Sequence, residues 1–247
     1  MEGHRVSLAG GRLKAVLFDL DGTLVDSVPD LHGAVATLLE RHGFVPLDLC
    51  EVRTMVGDGV RALVARAFRA RGRPVSGTEL DALTDEMMDI YGARLTALTT
   101  LMPGAREALA ACRAAGLGLG CVTNKPQAAS EAILAGFGLS HYLPVVIGGD
   151  AGRALKPAPD IALAALDRLG VAPAEAVLVG DGAADAGCGR AAGMTVVLVR
   201  GGYGMVPAES LDADHLIDSL ADLAALLQLD SDRQELSEDV SPLISSK

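Results

Sequence analysis

The stretch that most constrains the fold is Lys-Ala-Val-Leu-Phe-Asp-Leu-Asp-Gly-Thr-Leu, at residues 14–24. It begins with the apolar run Ala15–Phe18, which lacks polar alternation and so is typical of a strand buried on both faces of a parallel sheet. Asp19 and Asp21 follow, and residues two apart on an extended chain point to the same side. Both carboxylates should face the carboxyl edge of a sheet, where open α/β sheets bind ligands. Such close like charges need a cation or a proton between them, unless the stretch is an ordinary Asp-Gly turn.

The composition of the chain excludes several classes of protein. With 247 residues, half of them hydrophobic, the chain can bury a full core. A formal net charge of -11 without any basic run argues against nucleic acid and anionic membranes as partners. The four cysteines are widely spaced, which favours reduced thiols in a cytoplasmic protein. We also expect no signal peptide and no membrane span.

Residues 26–99 show the pattern of helices only. The predicted helices are Pro29–His42 with Ser27 as its N-cap, a short one near Asp48–Val56, Val60–Ala70 and Thr78–Leu98. No stretch in this region alternates with the period of two that a half-buried strand would show. We therefore expect a helical domain at 26–99, inserted into an α/β domain made of residues 13–25 and 100–229.

Helices and strands alternate after Pro103-Gly104. The predicted helices are Ala105–Ala115, Gln127–Gly136, Pro159–Leu169, Ala183–Ala192 and Ser219–Leu227, and the strands are Leu117–Val122, Leu143–Ile147, Ala176–Val179, Thr195–Val199 and His215–Ile217. Repeated strand-helix units predict a doubly wound parallel sheet with right-handed crossovers. The acidic, serine-rich residues 230–247 have little to bury, so we expect a disordered tail there.

Polar side chains stand at the end of each strong strand in this second half. Thr123 and Asn124 follow one predicted strand, Asp181 follows another, and Asp185 comes four residues later. Lys156 lies between them, at the entrance to a helix. Each residue alone is explained by a helix cap, a turn or a solvated charge. Together they bring acids, a hydroxyl, an amide and a lysine to one edge of one sheet, which indicates a reactive site.

These residues resemble the motifs of the haloacid-dehalogenase-like phosphohydrolases, and the resemblance covers residues 14–228. The first motif matches Asp19-Leu20-Asp21-Gly22-Thr23, the second Thr123, the third Lys156, and the fourth Gly180-Asp181 with Asp185. Within that superfamily, the stretches beginning at Asp21, Thr123 and Lys156 are similar to those of phosphoglycolate phosphatases. The resemblance implies a Rossmann-like core, and it identifies the helical insertion with the family's small helical cap.

The resemblance also implies a role for each residue at the predicted edge. Asp19 would be the nucleophile, and Asp21 would act as acid and then as base. Mg²⁺ would be held by the carboxylates of Asp19 and Asp181 and by the backbone carbonyl of Asp21. Thr123 and the backbone amide of Asn124 would bind the phosphoryl oxygens.

Two further roles follow from the same resemblance. Lys156 would neutralise charge on the nucleophile and on the phosphoryl group, and Asp185 would orient Lys156 or a metal-bound water. The pattern departs from that of the family at Gly182-Ala183-Ala184, where a serine and further polar residues are usual. Because Gly182 adds backbone freedom, we expect an active site with weaker metal affinity.

The implied function is hydrolysis of a small phosphorylated metabolite, with 2-phosphoglycolate as the leading substrate. Substrate choice would come from the cap, where Gly59 and Arg61 lie in and beside a loop between two helices. An ordinary turn with a solvated arginine explains these two residues equally well. The stretch Arg200-Gly201-Gly202-Tyr203-Gly204 matches a glycine-rich stretch of the family, although a plain loop is the simpler interpretation. We expect a monomer or a homodimer.

Other functions stay open at this stage. A phosphatase or phosphomutase acting on a sugar phosphate or pyrophosphate would use the same core groups. A phospho-acceptor signalling module also gathers aspartates, a hydroxyl and a lysine around Mg²⁺, but its reactive aspartate lies on a later strand. A dehalogenase would not need the acid Asp21, and no Gly-x-Gly-x-x-Gly follows the first strand to support a dinucleotide site.

Overall fold

The computed structural model describes residues 7–8, 11–203 and 206–229, and it confirms the predicted α/β fold. The strands are β1 (Ser7–Leu8), β2 (Gly11–Arg12), β3 (Ala15–Phe18), β4 (Val25–Asp26), β5 (Thr100–Leu101), β6 (Gly118–Val122), β7 (Val145–Ile147), β8 (Ala176–Gly180), β9 (Thr195–Val199) and β10 (His215–Ile217). The helices are α1 (Val28–Arg41), α2 (Leu49–Arg53), α3 (Val60–Ala70), α4 (Gly77–Gly92), α5 (Ala105–Ala114), α6 (Gln127–Gly136), α7 (Asp160–Leu169), α8 (Ala183–Ala192) and α9 (Leu223–Leu226). The predicted tail at 230–247 lies outside the described residues.

Six strands form one parallel sheet in the order β10-β9-β8-β3-β6-β7, with β3 in the middle. Phe18, the last residue of β3, pairs with Cys121 on one side and with Val179 on the other. The three central strands therefore end almost level. The residues that follow them must meet at one edge of the sheet, as the sequence predicted.

Helices cover both faces of the sheet, because alternate strand residues point to opposite sides. Val16 and Phe18 of β3 pack with residues of α5, α6 and α9, whereas Ala15 and Leu17 pack with residues of α7 and α8. All four of these strand side chains are fully buried. This double covering explains why the strand has no polar alternation.

The helices α1 to α4 lie between β4 and β5 and have a hydrophobic cluster of their own. The members of this cluster include Val35, Leu38, Phe68, Met87 and Tyr91. The two connections to the sheet run side by side as an antiparallel pair, in which Val25 pairs with Leu101 and Asp26 with Thr100. Neither this ribbon nor the β1–β2 pair was predicted, since two-residue strands leave no periodic pattern in a sequence.

The end of one predicted helix is wrong. The last helix of the region ends at Gly92 rather than at Leu98, and in the turn that follows, the buried carboxylate of Asp30 accepts hydrogen bonds from the backbone N–H groups of Leu98 and Thr99. Ser27 is the N-cap residue of α1, as predicted, although its side chain makes no capping hydrogen bond. In the described part of the chain, no helix is both long and apolar enough to cross a membrane.

Candidate active site

The buried lysine Lys156 lies between two carboxylates at the end of β3. Its Nζ is 2.7 Å from Asp19 Oδ1 and 2.6 Å from Asp185 Oδ1, and it donates a hydrogen bond to the carbonyl of Val122. Burial raises the pKa of Asp19 to about 7, although the charge of Lys156 acts in the opposite direction. Burial alone would lower the pKa of Lys156, but the charges of Asp185 and Asp19 raise it. Lys156 is therefore a permanent cation that faces the Asp19 carboxylate.

Asp181 brings a third carboxylate to the same point. Oxygen atoms of Asp19, Asp181 and Asp185 all lie within 4.8 Å of one another. The pKa of Asp181 is raised well above its usual value, first by burial and then by the charges of Asp185 and Asp19. Three crowded carboxylate groups beside only one lysine form a donor set that suits a hard divalent cation.

The orientation of the Asp181 carboxylate is fixed by two glycine-containing loops. Thr23 Oγ1 donates to one oxygen at 3.3 Å, and the backbone N–H of Tyr203 donates to the other at 2.6 Å. A Cβ atom at Gly22 or Gly202 would lie within 2.4 Å of this carboxylate. Both loops therefore approach Asp181 so closely that only glycine fits at these two positions.

Asp185 holds the loop that follows β8. Its second oxygen accepts hydrogen bonds from the backbone N–H groups of Asp181 and Gly182, each at 3.2 Å. Gly182 itself has ordinary extended backbone angles and serves as the N-cap residue of α8. The carboxylate of Asp185 thus supplies a tether where the serine usual in the family is absent.

Asp21 is held apart from the three clustered carboxylates. Lys125 Nζ lies 3.0 Å and 3.1 Å from its two carboxylate oxygens, and Ser27 Oγ donates to one of them at 2.5 Å. Ser27 stands at the N-cap position of α1, but its hydroxyl contacts Asp21 instead of the backbone of the helix. The Lys125 side chain is almost completely buried, with an exposed fraction of 2%.

Asn124 links the end of β6 to two other segments. Its side-chain oxygen accepts from the backbone N–H of Lys156, and its side-chain nitrogen donates to the carbonyls of Lys156 and Gly57. The Oγ1 atom of the buried Thr123 accepts a hydrogen bond from the backbone N–H of Lys125 at 3.2 Å. The Asn124 side chain thus links Lys156 and the loop before α3 to the end of β6.

Two neighbouring spaces, which share some of their lining residues, lie between the sheet edge and the helices. A small cavity of about 30 Å³ is lined by Asp19, Asp21, Thr123, Asn124, Lys125, Leu31, Val56, Gly57, Gly59, Val60 and Leu63. A wider cleft of about 500 Å³ is lined by Asp19, Asp21, Lys156, Asp181, Gly182, Ala183, Ala184, Asp185, Tyr203, Val206, Thr54, Met55, Val56, Gly57, Asp58, Arg66, Arg69 and Ala70. One side of each space carries the reactive groups, and the other side is formed by the helices.

The two residues expected to bind substrate from the helical region are placed differently. Gly59 lines the small cavity, and a Cβ atom on it would lie 3.2 Å from the carbonyl of Asn124. Arg61 lines neither space described above. Its side chain is 57% exposed and pairs with Asp81 of α4 at 2.9 Å, because position 61 points away from the cavity.

Two residues of the site were missed in the sequence. Lys125 follows the second motif directly, so its position after a buried strand was the available signal. Tyr203 belongs to the glycine-rich stretch for which a plain loop was the simpler interpretation. Tyr203 does lie in a loop, but its contacts tie that loop to the site: its hydroxyl binds the backbone N–H of Ser27 and the carboxylate of Asp26, whereas its own N–H binds Asp181.

Comparisons with known proteins agree with this geometry. The model of the haloacid dehalogenase-like hydrolase family matches residues 13–193. A phosphoglycolate phosphatase from Caulobacter vibrioides is 40% identical over 208 residues, which cover 84% of this chain and 88% of the relative. An N-acetylmuramic acid 6-phosphate phosphatase from Pseudomonas aeruginosa is 38% identical over 192 residues, covering 78% and 84%.

A solved structure shows the same similarity in three dimensions. This structure, of a predicted phosphoglycolate phosphatase from Haemophilus somnus 129PT, superimposes with a TM-score of 0.81. The sequence identity is 30%, and the match covers 87% of this chain and 97% of the other. The similarity thus extends over the sheet and the helical region together.

Proposed function

The chain belongs to the haloacid dehalogenase-like hydrolases, and from this premise we propose that it hydrolyses 2-phosphoglycolate to glycolate and phosphate with the help of Mg²⁺. The observation that carries the proposal is the ion pair between Asp19 and Lys156 beside Asp181 and Asp185, at the carboxyl edge of the sheet. Relatives named phosphoglycolate phosphatase support this choice of substrate.

Asp19 is the nucleophile in this proposal. One of its carboxylate oxygens attacks phosphorus, the ester bond to the leaving oxygen breaks, and an aspartyl phosphate forms. The ion pair with Lys156 supports this role, because the lysine fixes the carboxylate and neutralises charge that builds up during the transfer. Thr123 and the backbone amide of Asn124 bind the phosphoryl oxygens, and both residues line the small cavity next to Asp19.

Asp21 transfers the protons in both half-reactions. It protonates the oxygen of the departing glycolate and then takes a proton from the water that attacks the aspartyl phosphate. That attack releases phosphate and returns Asp19 to its starting form. The contacts of Asp21 with Lys125 and Ser27 support this role, since they hold its carboxylate beside the cavity rather than in the acidic cluster.

Haloacid dehalogenase-like phosphatases use a divalent metal, and we propose Mg²⁺ here. The carboxylates of Asp19 and Asp181 and the backbone carbonyl of Asp21 would hold the ion. The crowding of the three buried carboxylates and the raised pKa of Asp181 support a cation at this position. When bound, the ion reduces the repulsion between the carboxylate nucleophile and the phosphate anion. Asp185 positions Lys156 and the loop that carries Asp181.

We propose that residues 26–99 form a cap domain that selects the substrate. This helical region presents Gly57, Gly59 and apolar side chains to the small cavity, and such a lining suits a small leaving group. We leave Arg61 out of the substrate site because its side chain pairs with Asp81. Phosphomutase activity, the exact substrate, the monomeric or dimeric state and the cytoplasmic location stay predictions.

A second substrate class is supported by a specific observation. The N-acetylmuramic acid 6-phosphate phosphatase is nearly as similar as the phosphoglycolate phosphatases. The cleft of about 500 Å³ is also large enough to accommodate a sugar phosphate.

Phosphate release separates these possibilities. The purified protein with Mg²⁺ is compared on 2-phosphoglycolate, N-acetylmuramic acid 6-phosphate, hexose phosphates and pyrophosphate. We expect the highest kcat/KM with 2-phosphoglycolate. A higher value with a sugar phosphate would replace the substrate but keep the chemistry. Stoichiometric phosphorylation without turnover would favour a signalling module instead.

A further inference from the structure

The site contains two buried lysines with different surroundings. Lys156 bridges two carboxylates, those of Asp19 and Asp185. Lys125 is equally buried, with side-chain exposed fractions of 2% for Lys125 and 1% for Lys156, but it pairs with a single carboxylate, that of Asp21, and otherwise contacts Tyr91. An ammonium group has three N–H donors, and Lys156 shows that a lysine in this site can hold two carboxylates at once. By comparison, Lys125 directs its donors at the two oxygens of one carboxylate, and a second carboxylate could take over one of these bonds.

Lys125 lies where a leaving group would be placed. It lines the small cavity together with Asp19 and Asp21 and is the one cation among the described residues of that lining. The helical side of the cavity is apolar and includes Leu31, Val60 and Leu63. An anionic group that enters between these walls would meet a single positive charge, namely Lys125.

Tyr91 of α4 adds a second observation beside Lys125. Its ring centroid lies 4.6 Å from Lys125 Nζ, and its buried hydroxyl interacts with the Lys125 ammonium group but completes no hydrogen bond of good geometry among the described residues. A buried polar group without a partner is costly, and such a group commonly indicates a missing ligand or water. The hydroxyl is a potential donor to a bound anion.

We propose that Lys125, assisted by the Tyr91 hydroxyl, binds the carboxylate of the substrate and thereby selects 2-phosphoglycolate over uncharged analogues. This inference rests on the proposed function and deepens it. The carboxylate of 2-phosphoglycolate is one carbon away from the oxygen that leaves phosphorus, so a substrate whose phosphoryl group meets Asp19 from the wider cleft brings its carboxylate close to the small cavity. Lys125 then shares its charge between Asp21 and the substrate, in the way that Lys156 shares its charge between Asp19 and Asp185.

The arginines of the wider cleft are poor candidates for this role. Arg66 already pairs with Asp58 and donates to the carbonyl of Met55. Arg69 lies ten residues after Gly59 along α3, which corresponds to about 15 Å of helix. A two-carbon leaving group next to Asp21 does not extend that far.

The test compares two substrates that differ only in the group under discussion. 2-Phosphoglycolate carries the carboxylate, and 2-hydroxyethyl phosphate replaces it with an uncharged hydroxymethyl group. The ratio of their kcat/KM values measures selection for the carboxylate. A substitution that also disturbs Asp21 lowers both kcat/KM values, so this general effect cancels in the ratio. In Lys125→Met we expect this ratio to fall about 10- to 100-fold, because a charged hydrogen bond is lost. Lys125→Arg should recover part of it.

Two further variants make the test specific. Lys14→Met removes a surface lysine that pairs with Glu175 at the other end of β3, and it should leave the ratio unchanged. Tyr91→Phe keeps the buried ring and should lower the ratio about fivefold, which corresponds to one hydrogen bond. The Tyr91→Phe variant also tests the proposal if Lys125→Met fails to fold. Calorimetric binding of 2-phosphoglycolate in an Asp19→Asn background should show the same loss without turnover.

Different results would overturn the proposed substrate and the proposed role of Lys125. If the unaltered protein shows no preference for 2-phosphoglycolate over 2-hydroxyethyl phosphate, the proposed substrate is wrong and this inference falls with it. If the preference exists and persists unchanged in Lys125→Met and Tyr91→Phe, the proposed substrate stands and the inference is overturned.

Discussion

The two sides of the cleft differ in how they hold their charged groups. At the sheet edge, Asp19, Lys156, Asp181 and Asp185 are all less than 10% exposed and contact one another directly. On the helical side, the surface facing the small cavity is apolar or glycine, and a pair such as Arg61–Asp81 faces solvent. The difference fits the division of labour proposed above, in which the sheet would perform the chemistry and the helices would shape the space for the leaving group.

The physical reason for this division is the cost of burying charge. A buried carboxylate is tolerated only with a partner or a cation, and three neighbouring parallel strands supply such partners at fixed positions. Helices that pack through their own cluster can change the residues facing the cavity without disturbing those ion pairs. Substitutions at the sheet edge and on the helical side of the cleft test this difference.

The largest effect is expected from the sheet edge at Asp19. Asp19→Asn removes the nucleophile, so kcat should fall by at least about 1,000-fold. The shape of the side chain is kept, and circular dichroism should show an unchanged fold. Retention of more than about a tenth of the activity would show that the nucleophile is assigned wrongly.

The next effect concerns the metal. Asp181→Asn should weaken Mg²⁺ binding about 100-fold, since one of the carboxylate ligands becomes neutral. Isothermal titration calorimetry measures this without substrate. Asp218→Asn is the control, because Asp218 is an exposed acid that pairs with Arg200 at the surface. Equal Mg²⁺ affinity in both variants would contradict the assignment of Asp181.

The raised pKa of Asp19, about 7, predicts that Mg²⁺ binding depends on pH. Below pH 7 the carboxyl group holds a proton that the ion must displace, whereas above pH 7 it is already ionised. Because binding displaces this proton, the Mg²⁺ affinity should fall about tenfold for each pH unit below 7. Each further proton that binding displaces would add another factor of about ten per pH unit. Titrations between pH 5.5 and 8 measure the slope, and Asp19→Asn should reduce it. A pH-independent affinity over this range would argue against an ionisable Asp19 in the metal site.

The smallest effects are expected from the helical side, where two adjacent residues of α3 form a matched pair. Val60 lines the cavity, so Val60→Ala should lower kcat/KM for 2-phosphoglycolate about three- to tenfold and favour larger phosphate esters. Arg61→Ala should change kcat/KM less than about twofold, because Arg61 faces Asp81. The panel of phosphate esters described above measures both. A larger fall in kcat/KM for Arg61→Ala than for Val60→Ala would show that Arg61 does contribute to the substrate site.

Much of the chain followed from local sequence patterns. The apolar run at Ala15–Phe18, the alternation after Pro103 and the helical pattern of 26–99 all correspond to elements of the structure. These patterns are readable because burial on one or two faces leaves a periodic signal. The convergence of Asp19, Thr123 and Asp181 was also predictable, since parallel strands present their carboxyl ends at one edge.

Other features required the tertiary structure, because they depend on contacts between residues far apart in the sequence. The turn after α4 is held by the carboxylate of Asp30, which accepts from the backbone N–H of Leu98 and lies more than sixty positions earlier in the chain. The outward direction of Arg61 depends on the position of Asp81, and the role of Tyr203 depends on Asp26, Ser27 and Asp181.

The sequence by itself thus determined which chemical groups this protein brings to the edge of its sheet, since motif order and strand periodicity are local properties of the chain. Only the tertiary structure decided how those groups are paired. It paired Lys156 with two carboxylates and Lys125 with one, that of Asp21. The physical reason is that the partner of a buried charge is selected by distance and desolvation, and both quantities exist only after the strands and helices have packed.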